Sequence, residues 1–326
     1  MSWKIISAAA NKLFQPRREA PPTSTYKEGF ILPSAAIRQL DRLQLSASRF
    51  LPGYATGMRP SLRRKPAVDF HEHRSYIPGD DLRFVDWKAS ARQEHVFIRQ
   101  GEQPKEATVT ILVDCSASMS WGSDANDSRK QSAALTLAAS LAYLALAHGD
   151  HLVLTPLSNP QKTTLGPISG KGQFPLALNY LRSLEFTGKI DLGQTVKTFS
   201  RNRAHPTGLV LLISDLLEVP ELGSLLAALP APHWDVVVLH LLHPQELEPT
   251  LTGNFELSDC ETGHKTNFDI DAKALAAYQA HLKAWQQRLD VDCVENNAFY
   301  TVISAEWSLD KEILPHLREV AVVRPL

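Results

Sequence analysis

The chain has 326 residues, with 44% hydrophobic and 21% charged side chains, which excludes a disordered chain, a collagen-like repeat and a coiled coil. Three cysteines, at positions 115, 260 and 293, offer neither a disulfide framework nor a CxxC zinc site and suit a reducing compartment. The net charge of −1 hides an asymmetry: residues 1–104 carry 17 Lys and Arg against 10 Asp and Glu, and residues 105–326 carry 17 against 25. A basic first third beside an acidic remainder predicts a two-part chain whose parts pair internally or offer two faces to partners.

In chain order, Trp3, Ile6, Ala10, Leu13 and Phe14 share one helical face, with Lys4, Lys12 and Arg17 elsewhere. Such a helix can dock on a partner or lie on anionic lipid. It has neither the long apolar core nor the cleavage site of a secretory signal. The longest uncharged run, Gln131 to Ala147, is too short to span a bilayer, so the chain is expected in the cytoplasm without a transmembrane segment. Residues 16–33 are rich in Pro and Thr and read as a linker. A short amphipathic helix is predicted over Ser34 to Ser48, with Ile37, Leu40 and Leu43 on one face. Residues 49–104, crowded with Arg, Pro, Gly and aromatics, predict short strands and turns packed on something larger.

After Pro104 strands and helices alternate. Strands are predicted at Ala107–Val113, His151–Leu157, Thr163–Ile168 (an edge), Gly208–Ser214, Asp235–Leu242 and Tyr300–Ser304. Helices are predicted at Ser128–His148, Phe174–Leu184, Leu192–Arg201, Pro220–Leu229, Ala272–Leu289 and Lys311–Arg318. Phe255–Leu257 and Asn267–Ile270 bracket a hairpin. Unbroken apolar strands separated by helices predict an α/β fold, a doubly wound, mostly parallel sheet flanked by helices. The domains are then 1–33, an N-terminal helix and linker; 34–104, an Arg/Asp-rich segment of irregular and β structure; and 105–326, the α/β domain.

The sharpest chemical feature is the turn Asp114-Cys115-Ser116-Ala117-Ser118, directly after the first buried strand. Ligands of doubly wound sheets sit at the carboxyl ends of strands. A carboxylate and two hydroxyls there are hard oxygen ligands, suited to Mg²⁺ or Mn²⁺. A second acid, Asp215, ends another buried strand in LLISD. The plainer reading is that Asp114 and Ser116 cap the following helix. His71-Glu72-His73 offers two imidazoles on one strand face but no third ligand. Arg74, Arg83, Arg92 and Arg99 alternate with Asp80, Asp81 and Asp86, which predicts an ion-pair network that pins an irregular segment, or a docking surface for an acidic partner. The basic cluster Arg59, Arg63, Arg64 and Lys65 is offset by these aspartates, so no nucleic-acid footprint is expected. No GxSxG, GxxxxGK[ST], HExxH or GxGxxG motif occurs. Cys115 has no histidine near it in sequence to activate it as a nucleophile.

DCSASMS, the long helix, GKIDLG and LLISD together resemble a von Willebrand factor A domain with its metal-ion-dependent adhesion site. In that family the DxSxS serines touch the metal, a Thr on a second loop adds a ligand, and an Asp on a third loop binds through water. The resemblance implies metal ligands at Asp114, Ser116, Ser118 and Asp215. The second loop departs from the pattern: it reads Gly188-Lys189-Ile190-Asp191-Leu192, with Ile190 where the Thr is expected and Lys189 bringing a positive charge close by. Thr187 or Thr195 can substitute, or water can fill the place. The expectation is weak Mg²⁺ or Mn²⁺ binding, with Ile190 bordering the site. Upstream, Arg74-Ser75-Tyr76-Ile77-Pro78-Gly79-Asp80-Asp81-Leu82-Arg83-Phe84-Val85-Asp86-Trp87, followed by Ser90-Ala91-Arg92, is similar to the signature of bacterial domain-of-unknown-function family 58. Members are often encoded beside MoxR-type AAA+ ATPases. The resemblance implies a non-enzymatic protein-binding module, an adaptor or chaperone-like partner of such an ATPase. The alternative is a metal-dependent hydrolase using Asp114, Asp215 and Asp191 to activate water.

Overall fold

The computed structural model describes residues 32, 34–46, 72–75, 90, 97–100, 108–120, 129–201, 208–217, 219, 221–229, 234–250, 253–258 and 265–326. They fall into two compact units, one formed by residues 1–52 with 107–326 and the other by residues 53–106.

The smaller unit contains β2 (Glu72–Ser75) and β3 (Phe97–Gln100), an antiparallel pair with Glu72 opposite Gln100 and Ser75 opposite Phe97. The side chains expected to pair as an Arg/Asp network, the His71 and His73 imidazoles, the basic cluster at 59–65 and the N-terminal helix lie outside the described residues.

The larger unit begins with α1 (Ser34–Leu40) and β1 (Leu43–Leu45), then β4 (Thr108–Asp114), α2 (Arg129–Ala147), β5 (His151–Leu157) and β6 (Leu165–Ile168). Next come α3 (Phe174–Arg182), α4 (Leu192–Arg201), β7 (Gly208–Ser214), α5 (Leu222–Leu226), β8 (Trp234–Leu242) and α6 (Pro244–Leu247). The hairpin β9 (Gly253–Ser258) and β10 (Lys265–Ile270), α7 (Ala272–Glu295), β11 (Ala298–Ser304), α8 (Leu314–Glu319) and β12 (Val323–Pro325) complete it. Six strands form the central sheet in the order β11-β8-β7-β4-β5-β6. All neighbours are parallel except β6, which runs antiparallel to β5 at the edge. This is the doubly wound sheet that the apolar strands predict.

Strand side chains alternate between faces, and here both faces are buried. Val109, Ile111 and Val113 of β4 join Leu209, Leu211 and Ile213 of β7 in the cluster that contains α2, α3 and α8. Leu112, Val210 and Leu212 face the opposite cluster, with α4, α5 and α7. α2 has 14 buried residues, as an apolar helix laid on a sheet must. It stops where Gly149 takes a positive φ of 78° and Asp150 N–H bonds back to the Ala145 carbonyl at 3.0 Å.

Two expectations are corrected. The helix predicted over Ser34–Ser48 ends at Leu40, because Leu43 and Leu45 are buried by pairing with β12 rather than on a helix face. Residues 34–46 therefore belong with the α/β unit and not with the Arg/Asp-rich segment. The helix predicted to end at Leu289 runs on to Glu295, since Cys293 continues its buried stripe, and the Asn296 side chain then bonds to the Asp292 carbonyl at 2.8 Å. β12 itself is absent from the sequence reading, because a three-residue strand has too little periodicity to be read from sequence.

Candidate functional site

The chain winds outward from β4 through β5 to β6, returns, and then winds the other way through β7, β8 and β11. The reversal lies between β4 and β7, and the carboxyl ends of these strands are neighbours, with Val113 opposite Ile213. Doubly wound sheets open a crevice at that place. The Asp114 turn and the Ser214-Asp215 turn emerge there, side by side.

Hydrogen bonds hold the first turn. Asp114 Oδ1 accepts from the Ser116 backbone N–H at 2.9 Å, and Asp114 Oδ2 accepts from the Ser214 hydroxyl at 2.6 Å. Ser116 Oγ and Ser118 Oγ lie 2.9 Å apart and share a hydrogen bond. All of these side chains are buried. Burial pushes the Asp114 carboxyl up to about 6, the negative charge of Asp215 adds to this, and the bonds from Ser214 and Ser116 oppose it.

The second turn is clamped from several sides. Ser214 Oγ also accepts the Leu216 N–H at 2.9 Å, and Leu216 adopts a left-handed φ of 56°. Leucine in that region is strained and persists only when its surroundings enforce it. Asp215 Oδ1 accepts the Leu217 N–H at 3.2 Å. His240 Nε2 lies 3.0 Å from the Asp215 carbonyl, and its Nδ1 lies 2.6 Å from Tyr300 Oη. A carbonyl can only accept, so Nε2 carries the proton. Burial lowers the imidazole to about 4 against the pull of the Asp215 charge, so the neutral ring accepts the Tyr300 hydroxyl at Nδ1.

Lys130 and Glu246 also belong to the site, and no sequence motif singles them out. Lys130 Nζ donates to Asp215 Oδ2 at 2.7 Å and to Glu246 Oε1 at 2.9 Å, and its side chain is 0% exposed. Burial alone would depress this ammonium, but the carboxylates of Asp215 and Glu246 hold it above its ordinary value. Glu246 Oε2 accepts the His243 N–H at 2.6 Å within a capping box that starts α6, and this aims its other oxygen at Lys130. Burial raises the Glu246 carboxyl, and the Lys130 charge opposes that rise. The available signal was a charged residue in the first turn of a helix otherwise buried all round.

The second loop approaches the Asp114 turn with its backbone. Thr187 N–H donates to the Cys115 carbonyl and Ala117 N–H to the Gly188 carbonyl, both at 2.9 Å. Gly188 holds a φ of 74° there. Ile190, expected beside the site, is buried among Leu112, Leu157, Leu192 and Val196, because the chain turns its side chain into the apolar cluster under α4. Thr187 is exposed, and the Thr195 hydroxyl donates to the Asp191 carbonyl at 2.8 Å inside α4. Asp191 Oδ1 accepts the Gln194 N–H at 2.8 Å, which makes it a helix cap. Lys189 is exposed, so the buried positive charge at Asp215 comes from Lys130. Burial and the Asp114 charge push the Cys115 thiol up, away from the thiolate a nucleophile needs.

The resemblance implies a divalent cation at this turn. The Ser116 and Ser118 hydroxyls fit one edge of a Mg²⁺ octahedron with bonds of about 2.1 Å. The remaining side chains do not complete the shell. Ile190 contributes no oxygen, each oxygen of Asp114 and Asp215 already accepts from a protein donor, and an ammonium lies on Asp215. Among the described residues, no group of three His, Cys, Asp or Glu side chains is placed to hold a metal ion.

The family model described as "Protein of unknown function DUF58" matches residues 72–288, more than half of the chain. An uncharacterized protein of Mycobacterium tuberculosis and one of Mycobacterium bovis are each 28% identical to it over 257 residues, covering 76% of this chain and 79% of theirs. Similar solved structures include the conserved hypothetical protein BatB from Bacteroides thetaiotaomicron, with a TM-score of 0.38 and 15% identity over 66% of this chain and 98% of that one. The SpRpn10 VWA domain has a TM-score of 0.38 and 10% identity over 65% of this chain and 95% of that one. The fold assignment rests on the strand order and the two-faced core.

Proposed function

Because the chain belongs to the DUF58 family, we propose that it is a non-enzymatic protein-binding module, an adaptor or chaperone-like partner of a MoxR-type AAA+ ATPase in the cytoplasm. One observation carries this reading: at the switch point of the sheet, every oxygen of Asp114 and Asp215 accepts a hydrogen bond from the protein itself. Groups so engaged hold the two turns in a fixed arrangement. In this reading the DxSxS turn is a degenerate adhesion site. The hydrolase reading is weakened by Asp191, whose carboxylate caps α4 instead of joining the other two acids. Among the described residues no helix is long and apolar enough to cross a membrane.

The test mixes the purified full chain with the purified MoxR-type ATPase of the same organism and follows complex formation by sedimentation velocity. In parallel, the chain alone is assayed on phosphatase and esterase substrates. A stable complex without hydrolysis is expected. Hydrolysis that is lost in Asp114→Asn, with no complex, would overturn the proposal in favour of the enzyme.

A further inference from the structure

We infer that Lys130 is the resident cation of this site: its ammonium, held between Asp215 and Glu246, fills the charge role of a divalent ion, so the sheet's carboxyl end is complete without metal.

Three observations converge on it. The first is position. Lys130 is the second residue of α2, where the positive end of the helix dipole disfavours a cation. It is also fully buried, where an unpaired ammonium is strongly penalised. Among the described residues, the carboxylates of Asp215 and Glu246 offset both penalties.

The second is how those carboxylates are held. Asp215 is fixed by the Leu217 N–H on its side chain and by His240 on its carbonyl. Glu246 is fixed by the His243 N–H at the end of β8. Lys130 therefore joins α2 to the ends of two adjacent strands, β7 and β8. The third is the donor set. The second loop brings no side-chain oxygen at position 190, and a divalent ion drawn to Asp215 would meet the positive charge already bound there.

The inference concerns the isolated chain and stands or falls separately from the partner proposal. It is tested by thermal unfolding of the full chain in Mg²⁺, in Mn²⁺ and in EDTA at matched ionic strength. An ion bound at a hundredfold excess over its Kd would raise the unfolding midpoint by several degrees. The wild-type midpoint is expected to be the same in all three solutions; a rise with either metal overturns the inference. Lys130→Met leaves two buried carboxylates facing each other, and its lowered midpoint is expected to recover partly in Mg²⁺. If this variant folds with the wild-type midpoint, the inference fails. Should it not fold, Glu246→Gln keeps the Lys130–Asp215 pair: it is expected to melt lower than wild type and to ignore Mg²⁺. An unchanged midpoint in Glu246→Gln would remove Glu246 from the cation's cage and overturn the assignment.

Discussion

Asp114 makes the site measurable at the scale of a single residue. Its carboxyl is raised from an ordinary 3.8 to about 6 by burial and by the Asp215 charge. The folded state therefore binds this proton more tightly than the unfolded chain. The associated stability is fully present below the unfolded value and is lost as pH rises through the folded one. Asp114→Asn removes the titration while keeping an acceptor for the Ser116 N–H. Urea unfolding of both proteins across this range should show the wild type losing stability relative to the variant between pH 4 and 6. Parallel curves would mean that Asp114 titrates normally. Much of this site was legible in the sequence, because DxSxS and LLISD each follow an apolar strand, and strand ends fix where their side chains go. Lys130 was not, because its partners lie 85 and 116 residues away and only the sheet's winding brings them together.

At the scale of elements, close packing sets the tolerances. Gly208 opens β7 with φ 151°, and a Cβ there would collide with the Thr108 carbonyl of the adjacent strand. Gly208→Ala should cost about 1–3 kcal/mol, measured by urea unfolding, because the backbone of a central strand cannot move aside. A neutral substitution would mean that β4 and β7 are spaced more widely. α1 supplies a second test. Leu40 is 0% exposed in the core cluster shared with α2 and α8, so Leu40→Ala should destabilise the fold by about 2–5 kcal/mol. An effect below about 0.5 kcal/mol, the range of surface positions, would detach α1 from the α/β unit. The sequence marks α1 as amphipathic, but it does not show what the amphipathic face meets. Leu43 continues the helical spacing of Ile37 and Leu40, yet it lies in a strand paired with β12, opposite Pro325 at the far end of the sequence. Strands with continuous apolar runs were legible because both their faces are covered. β1 and β12 are three residues each and find their strand pairing in one another, at opposite ends of the sequence.

At the largest scale, the α/β unit presents a closed switch point. The sheet is buried on both faces, and the turns at its switch point are closed by internal hydrogen bonds and by one buried ammonium. Such a surface is pre-organised, which lowers the entropy lost when a partner docks. The family resemblance was legible from short motifs distributed along the chain, whereas the partner's identity depends on surfaces that no motif encodes. The most direct measurement of the proposed binding role is a calorimetric titration of the full chain with its organism's MoxR-type ATPase. Saturable binding at a fixed stoichiometry is predicted; no heat of binding across the titration, with the ATPase folded and active, would contradict it.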